Sequence, residues 1–163
     1  YRDYKKAITD FDASDILTPF VDYPQGHSVD YWRGVAYLGL KDYKMSNFYL
    51  EKDIQREIEA SGEDYVESTA FLYNGISYFE NEQFDKALIN FDKVLKYSNN
   101  SSSDAKYYKA SISFKQNKIE KARKEIEAAI LDFENGYYNQ RGYVETLRQL
   151  YSQDFNLLKT TIN

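Results

Sequence analysis

The stretch from Phe71 to Asn99, FLYNGISYFENEQFDKALINFDKVLKYSN, decides the fold of this chain. It carries two small residues twelve positions apart, Gly75 and Ala87, with a polar break at residues 82–83 between them. Phe91 follows Ala87 by four positions and keeps one helical face apolar over a full turn. The stretch therefore predicts a pair of antiparallel helices whose backbones approach closely at the two small residues.

This pattern recurs along the chain. The small residues of the predicted second helices are separated by 39, 41 and 35 positions, a period that is typical of stacked helical hairpins. Each of the last three copies carries another small residue twelve positions earlier, in its predicted first helix. A glycine inside a helix costs about 1 kcal/mol against alanine, so the glycines at these sites indicate a packing requirement. We expect Gly34 to contact Ser46, Gly75 to contact Ala87, and Ala110 to contact Ala122, while Ala7 marks a first, truncated copy.

With these sites the chain resembles the tetratricopeptide repeat family. Six residues of the quoted stretch stand where the pattern of that family places them: Gly75, Tyr78, Phe84, Ala87, Phe91 and Val94. Residues 31–53 and 107–129 resemble two further copies, and residues 4–19 resemble the second helix of a truncated copy. The resemblance implies an all-α fold, an α-solenoid of antiparallel helix hairpins with about three hairpins, a leading half repeat and a C-terminal capping helix.

Four residues depart from the pattern of the family. Arg33, Asn74 and Lys109 occupy the site before the small residue of the first helix, where the family usually has a large apolar residue. Asp53 occupies a site of the second helix that is usually small. Arg and Lys can lay their stems over apolar surface with the charge outside, and we expect Arg33 and Lys109 to do so.

We expect one domain over residues 1–163, with parts that follow the repeat. These parts are a half repeat at 1–19, repeats at 28–59, 66–99 and 103–134, and a cap at 138–162. Helices are predicted near 1–17, 28–40, 43–59, 64–81, 84–97, 103–116, 119–134 and 139–152, with a short one from 154.

Two serines and one apolar pattern support this division. Ser28 and Ser103 precede apolar periodic segments and are predicted to cap the helices that follow. Tyr143, Leu147 and Leu150 keep an apolar spacing without the small-residue signature. This spacing predicts a terminal cap, which a stack of repeats requires to cover its last apolar face.

The composition excludes several classes of function. Cysteine is absent, which excludes disulfides, thiolate zinc sites and cysteine nucleophiles and leaves the compartment unassigned. A net charge of −5 argues against nucleic acid as a partner, because that affinity depends on basic residues that neutralise phosphates. No apolar run reaches the roughly 18 residues of a membrane span, so we expect no direct membrane insertion. The first residue is Tyr1 instead of Met, which is typical of a mature or excised segment.

Catalytic and metal-binding patterns are missing from the sequence. The single histidine, His27, lies in a Pro-Gln-Gly-His linker and has no second histidine with which to form a metal pair. One imidazole alone defines no catalytic geometry, so we interpret His27 as a loop residue. A glycine-rich phosphate loop is absent as well. We therefore expect no enzyme activity, no metal site and no cofactor.

The resemblance places the first helix of each hairpin along a concave groove that holds the partner. Residues of these helices beside the small-residue sites are largely aromatic or apolar, and Tyr and Trp supply large contact area at low entropic cost. The alternative interpretation is that this stripe only packs neighbouring helices, because large apolar side chains are mostly buried. The predicted groove residues are Tyr31, Trp32, Val35, Leu72, Tyr73, Ile76, Phe79, Tyr107, Tyr108, Phe114 and Lys115.

Charge is distributed unevenly along the sequence. Residues 51–67 hold seven acids against two bases, a balance of −5, and residues 105–124 hold seven bases against one acid, a balance of +6. A solvated helical surface is one interpretation of both segments. In the other, the basic segment steers an acidic peptide segment or a carboxylate toward the groove. The carboxylate-clamping pattern of the family is not reproduced, since apolar residues fill most of the equivalent sites.

We therefore predict a non-catalytic protein–protein interaction scaffold that binds a peptide or a partner helix in a tyrosine-rich groove. Two alternatives stay open. One is a self-association module, in which the groove or an uncapped end docks a second copy or a neighbouring domain of a longer chain. The other is a sensory domain whose aromatic groove holds a small molecule or a glycan.

Overall fold

The structure is a computed structural model that describes residues 3–17, 27–139 and 148–163. Within these ranges the chain is all-helical, with eight α-helices, two short 3-10 helices and no strand. The all-α prediction is confirmed. The chain divides into two compact units, Tyr1–Glu82 and Gln83–Asn163. None of the helices in the described part of the chain combines the length and the apolar character that crossing a membrane requires.

The first unit contains four α-helices. They are α1 (Tyr4–Leu17), α2 (Val29–Gly39), α3 (Tyr43–Ser61) and α4 (Ser68–Glu80), with a 3-10 helix at Glu63–Tyr65 before α4. Helix α1 packs on α2, α2 packs on α3, and α4 lies against both α2 and α3. Fully buried side chains such as Leu50 and Phe71 form the core of this unit.

The second unit also contains four α-helices. They are α5 (Phe84–Tyr97), α6 (Ser103–Lys115), α7 (Ile119–Glu134) and α8 (Ser152–Ile162), with a 3-10 helix at Tyr137–Asn139 after α7. Helix α5 packs on α6, α6 packs on α7, and α8 lies against both α6 and α7.

Helix α8 covers the apolar end of the α6–α7 pair. The ring of Phe155 on α8 is fully buried, and its centroid lies 5.5 Å from that of Tyr107 and 5.0 Å from that of Phe133. Burial of this ring ties the C-terminal helix to the rest of the unit. The buried residues of this hydrophobic core cluster, which includes Phe155, are Ala110, Ala122, Ile126, Ala129, Leu150, Phe155 and Ile162.

The start of α4 and the cap of α6 differ from their predicted places. The helix predicted over 64–81 begins only at Ser68, because a separate 3-10 turn precedes it. Ser102 caps α6, and not Ser103 as predicted: the Ser102 hydroxyl accepts a hydrogen bond from the amide of Ala105 at 3.2 Å. Ser103 is already helical and donates its hydroxyl to the carbonyl of Ala129 at 2.7 Å. The predicted cap of α2 is confirmed, since the Ser28 hydroxyl accepts a hydrogen bond from the backbone amide of Tyr31 at 3.0 Å.

The last two predicted helices, at 139–152 and from 154, have different outcomes. Most of the helix predicted at 139–152 falls on residues 140–147, which include Tyr143 and Leu147. These residues lie outside the part of the chain that the structure describes. Residues 148–151 are not helical, so the prediction of a helix up to residue 152 is wrong there. The short helix predicted from residue 154 is present as α8, which begins at Ser152. At the other end of the chain, the predicted half repeat at 1–19 is described from residue 3 to residue 17.

The turns that follow α2, α4 and α6 share one backbone feature. Lys41, Glu82 and Asn117 each have a positive φ, of 63°, 56° and 58°. Their spacing of 41 and 35 positions equals that of the small residues in the helices that follow. Because non-glycine residues rarely adopt this left-handed conformation, its recurrence shows that each polar break ends its helix in the same way. The repeat in the sequence is therefore also a repeat of backbone conformation.

The backbones of α2 and α3 approach closely at Gly34. A Cβ atom at this position would lie 2.5 Å from Cγ of Leu50 and 3.1 Å from the amide nitrogen of Leu50. The predicted partner, Ser46, is fully buried one turn earlier on α3. The nearest atoms to Gly34 thus belong to Leu50 instead of Ser46, and they leave no space for a side chain.

The other two predicted pairs differ in whether both residues belong to the same unit. Ala110 and Ala122 are both fully buried in the core of the second unit. Gly75 and Ala87 belong to different units, and the contact between them stays a prediction.

Candidate functional site

Six of the eleven predicted groove residues are buried. Tyr31 and Tyr73 are each 1% exposed, and their ring centroids lie 6.2 Å apart in the first unit. A fully buried side chain offers no surface to a partner, so substitution of Tyr73 would change stability before it changed binding. The buried residues are Tyr31, Val35, Leu72, Tyr73, Ile76 and Tyr108.

The other five predicted groove residues keep some exposed surface. Tyr107 meets the ring of Phe155 edge-on, so the C-terminal helix of the same chain covers one side of it. Trp32 meets Tyr31 edge-on, with centroids 5.0 Å apart. The partly or fully exposed residues are Trp32, Phe79, Tyr107, Phe114 and Lys115. A role of the eleven residues in partner binding stays a prediction.

Three aromatic residues outside the predicted set contact one another on α2 and α3, and we call them the aromatic face: Tyr37, Phe48 and Tyr49. Phe48 is exposed, whereas Tyr37 and Tyr49 are half-buried. The rings of Tyr37 and Tyr49 stack 5.6 Å apart and within 3° of parallel, and Phe48 lies edge-on to Tyr49 at 5.1 Å. The Phe48 side chain is 56% exposed. Rings that are held in place by their neighbours lose little conformational entropy when a partner covers them.

Arg33 contacts the aromatic face at the ring of Tyr49. Its guanidinium carbon lies 5.6 Å from the centre of the Tyr49 ring, within the range of a cation–π contact. The same guanidinium pairs with Asp12 at 3.1 Å and with Asp30 at 3.4 Å. The Arg33 side chain is only 5% exposed, so the prediction that its charge lies outside is wrong. Two carboxylates compensate the buried charge and allow Arg33 to replace an apolar residue.

The other polar departures from the family pattern also have partners. The side-chain oxygen of Asn74 accepts a hydrogen bond from the side-chain amide of Asn47 at 2.6 Å, within the first unit. The Lys109 ammonium pairs with Asp92 in the second unit, and the lysine side chain is mostly buried. Each polar side chain at a usually apolar site is therefore held by a specific partner that satisfies it.

A buried carboxylate lies where α2 begins. Asp53 on α3 is fully buried, and its Oδ1 accepts hydrogen bonds from the Ser28 hydroxyl at 2.5 Å and from the Arg56 guanidinium at 3.2 Å. Its Oδ2 is buried without a hydrogen-bond partner among the described residues. Burial raises the pKa of Asp53 above the ordinary value of 3.8, and the Ser28 hydrogen bond and the Arg56 charge offset part of the rise.

His27 lies outside the helices, as predicted for a loop residue, and its side chain is buried. Its imidazole stacks on Tyr31 with centroids 3.9 Å apart and meets Trp32 edge-on at 5.5 Å. The Nε2 atom lies 3.9 Å from a carboxylate oxygen of Glu67. These contacts give His27 a packing role directly before the cap of α2.

Replacing Asp53 with asparagine is expected to flatten the pH dependence of stability. The raised pKa means that the folded chain holds the Asp53 proton more tightly than the unfolded chain, so stability falls as the pH rises from 3.8 through the raised value. Asparagine has no such proton to lose. Relative to the unmodified chain, the Asp53→Asn variant should therefore become more stable as the pH rises from 3.8 through the raised pKa, as measured by urea unfolding.

An exposed acid of the same unit provides the control. Asp64→Asn removes one charge without removing a buried carboxylate, and its stability relative to the unmodified chain should stay nearly constant over the same pH range. Burial, and after it the charge of Asp53, also raise the pKa of Glu57. Loss of the Asp53 charge removes part of that rise, so its effect through Glu57 changes the pH dependence of stability in the same direction. Equal pH profiles for the two variants would show that burial of Asp53 is not the cause.

Comparisons of this chain with protein-family models, with curated proteins and with solved structures give no match. Membership of the tetratricopeptide repeat family thus rests on the residues of this sequence and stays a prediction.

Proposed function

We propose that this chain is a non-catalytic protein-interaction scaffold that holds a peptide or a partner helix on a cluster of aromatic side chains at its surface. The aromatic face on α2 and α3 is the observation that carries the proposal. A single exposed apolar residue is normal on a protein surface, whereas a contiguous apolar patch is typical of an interaction site.

The geometry of the aromatic face supports binding of a protein partner in two ways. The stacked pair Tyr37–Tyr49 and the edge-on Phe48 present aromatic surface of the kind that dominates binding energy at protein interfaces. Arg33 is held by two carboxylates and contacts the Tyr49 ring, so it limits the movement of that ring. Tyrosine hydroxyls beside apolar rings suit the amphipathic surface of a peptide or helix better than a purely apolar ligand.

Replacing Phe48 with alanine is expected to weaken partner capture and to leave the fold intact. Loss of one central aromatic contact should lower the affinity by about tenfold or more, because such residues contribute about 2 kcal/mol at an interface. Since the side chain is 56% exposed, the midpoint of thermal unfolding should change little. Affinity capture from the native source, with quantitative mass spectrometry of the bound proteins, measures the first effect, and circular dichroism measures the second.

Ile89→Ala is the matched control for this experiment. Ile89 is also an exposed apolar residue, at 58%, and it lies on α5 away from the aromatic face in the sequence. A protein that the unmodified chain and Ile89→Ala capture equally, and that Phe48→Ala loses, identifies the partner. The proposal fails if Phe48→Ala captures the same proteins in the same amounts.

Self-association is a second candidate function, and one observation favours it. Residues 1–82 hold eight bases and sixteen acids, a net charge of −8, whereas residues 83–163 hold thirteen bases and ten acids, a net charge of +3. Oppositely charged units of two copies attract each other at low ionic strength. Light scattering at several protein concentrations separates the candidates, because self-association would raise the apparent mass with concentration and added salt would lower it again.

A further inference from the structure

We propose that His27 is a proton-binding switch, which in mild acid ties the start of α2 to α3 and to the segment before α4. Its imidazole belongs to a cluster of carboxylates, and a proton on the ring supplies positive charge to that cluster. Histidine suits this task, because its ordinary pKa of about 6.5 lets its charge change between about pH 5 and about pH 8. The inference concerns the first unit alone and does not depend on the proposed protein-binding function.

Three carboxylates form the cluster to which His27 belongs. Glu67, directly before α4, has a carboxylate oxygen 3.9 Å from Nε2 of His27. Asp53 on α3 is fully buried, and its Oδ1 accepts a hydrogen bond from the hydroxyl of Ser28, the next residue in the chain after the histidine. Glu57 on α3 accepts a hydrogen bond from the backbone amide of Glu67 at 3.3 Å, which keeps its carboxylate close to the other two.

Basic side chains compensate only part of this negative charge. Apart from the histidine, Arg56 is the one base that pairs with any of the three carboxylates in the described part of the chain, and it lies 3.2 Å from Asp53. Asp30 on α2 adds a further negative charge near Asp53, but it is already paired with Lys52 at 2.9 Å and with Arg33 at 3.4 Å. The cluster therefore keeps an excess of negative charge, which a proton on the imidazole reduces.

Two buried atoms of the cluster lack a hydrogen bond within the residues that the structure describes. They are Nδ1 of His27 and Oδ2 of Asp53. The His27 side chain is only 9% exposed, so solvent does little to satisfy its ring. Buried polar atoms without partners are costly, and a charged imidazole attracts the carboxylate oxygen that is left over. The unpartnered atoms thus favour a proton on the ring beside an ionised Asp53.

The electrostatic interaction between His27 and Asp53 acts in both directions. Burial raises the pKa of Asp53. The Ser28 hydrogen bond, the Arg56 charge and then the charge of the imidazole offset part of that rise. Because the coupling free energy between two sites is reciprocal, the ionised carboxylate favours the proton on the imidazole to the same extent. Loss of that proton leaves the carboxylates of α3 and of the segment before α4 to repel one another.

The single tryptophan of the chain can report the charge of the single histidine. Trp32 meets the imidazole edge-on, with ring centroids 5.5 Å apart. A charged imidazole in contact with an indole ring quenches its fluorescence more strongly than a neutral imidazole does. Tyr31 stacks on the same imidazole, and Tyr73 on α4 lies behind it. Burial raises the pKa of Tyr31 well above its ordinary value of 10, so its hydroxyl stays neutral and does not interfere.

A titration of the full chain from about pH 8 to about pH 5 tests the proposal by two signals, the ring protons of His27 in NMR and the fluorescence of Trp32. The fluorescence should fall as the pH falls, and both signals should share one midpoint, because a single proton causes both changes. In the His27→Gln variant, the fluorescence of Trp32 should stay constant over this range.

Variants of the carboxylates test whether the cluster holds the proton. Glu67→Gln should lower the midpoint of both signals by about 0.2 to 0.7 of a pH unit, the effect of one partly exposed charge. Asp53→Asn should lower it further, because a buried charge is screened less. Glu59→Gln is the control for Glu67→Gln, since it removes the same charge from an exposed residue of α3 that contacts Gln55, and it should leave the midpoint nearly unchanged.

Three outcomes would overturn the proposal. The first is the same midpoint in Glu67→Gln and Glu59→Gln, the second is an unchanged midpoint in Asp53→Asn, and the third is a fluorescence change that persists in His27→Gln. If His27→Gln does not fold, Glu67→Gln still decides, because that side chain is 56% exposed and its loss should leave the fold intact.

Discussion

Replacing Phe155 with alanine is expected to lower the free energy of unfolding by about 3 to 5 kcal/mol, the usual range for loss of a buried phenylalanine. The ring is 1% exposed and lies between Tyr107 of α6 and Phe133 of α7. Its removal would leave a cavity at the point where α8 covers the other two helices. Urea unfolding followed by far-ultraviolet circular dichroism measures the loss.

A second residue of the same helix provides the control. Leu157 is 71% exposed on α8, and Leu157→Ala should change the free energy of unfolding by no more than about 0.5 kcal/mol. If the two variants lose the same amount of stability, α8 does not hold the second unit together through Phe155. The contrast between them separates tertiary packing from the helix propensity of the segment.

The helices could be predicted from the sequence because the signals that define them are local. An apolar periodicity of one face and a polar break at a fixed distance lie within a few residues of each other, as in Phe84–Tyr97 with its break at residues 82–83. The left-handed residues at the breaks, such as Asn117, belong to the same local pattern. The lack of helix at residues 148–151 could not be predicted, because the apolar spacing continues through Leu150.

The polar interior could not be predicted because its partners are distant in the sequence. Arg33 pairs with Asp12, 21 positions earlier, and Asp53 accepts a hydrogen bond from Ser28, 25 positions earlier. Neither pair follows from a periodic pattern, since the helices must first pack before the side chains meet. A polar residue at a usually apolar site is the only signal in the sequence, and it indicates that a partner exists without identifying it.

The aromatic face was missed for a related reason. The resemblance directs attention to the first helix of each hairpin, whereas Phe48 and Tyr49 lie on the second helix, α3. Their neighbour Leu50 is fully buried, so the run of three apolar residues crosses from the exposed to the buried side of α3. A run of this kind on an otherwise amphipathic helix is the signal that could have identified the exposed rings.

A pocket on α5, α6 and α7 is lined by three lysines, and the sequence predicted it only as an excess of positive charge. Residues 105–124 contain Lys106, Lys109 and Lys124, but the acids that fix the first two lie outside that segment. Only the packing of α5, α6 and α7 determines which of the seven bases face one another.

Replacing Gly34 with valine should destabilise the first unit by about 1 to 3 kcal/mol, the range for overpacking in a core. Valine forms helix no less readily than glycine, so the loss would come from the contact with α3. The new Cβ would lie 2.5 Å from Cγ of Leu50 and 3.1 Å from its amide nitrogen, and a backbone atom in a packed helix cannot rotate away. Urea unfolding followed by the fluorescence of Trp32, the single tryptophan, measures the change in this unit.

The same substitution at Gly39 shows whether the backbone contact adds to the cost at Gly34. A Cβ at Gly39 would lie 2.5 Å from the ring of Tyr4, a side chain that can move aside, so Gly39→Val should cost less than Gly34→Val. Shortening Leu50 to alanine in the Gly34→Val background should cost less than it does alone, because the valine then fills part of the space that the leucine leaves. Strictly additive losses would mean that Gly34 does not contact Leu50. If Leu50→Ala costs less in the Gly34→Val background, close approach of the two helices, and not helix propensity, accounts for the small residue at this site of the repeat.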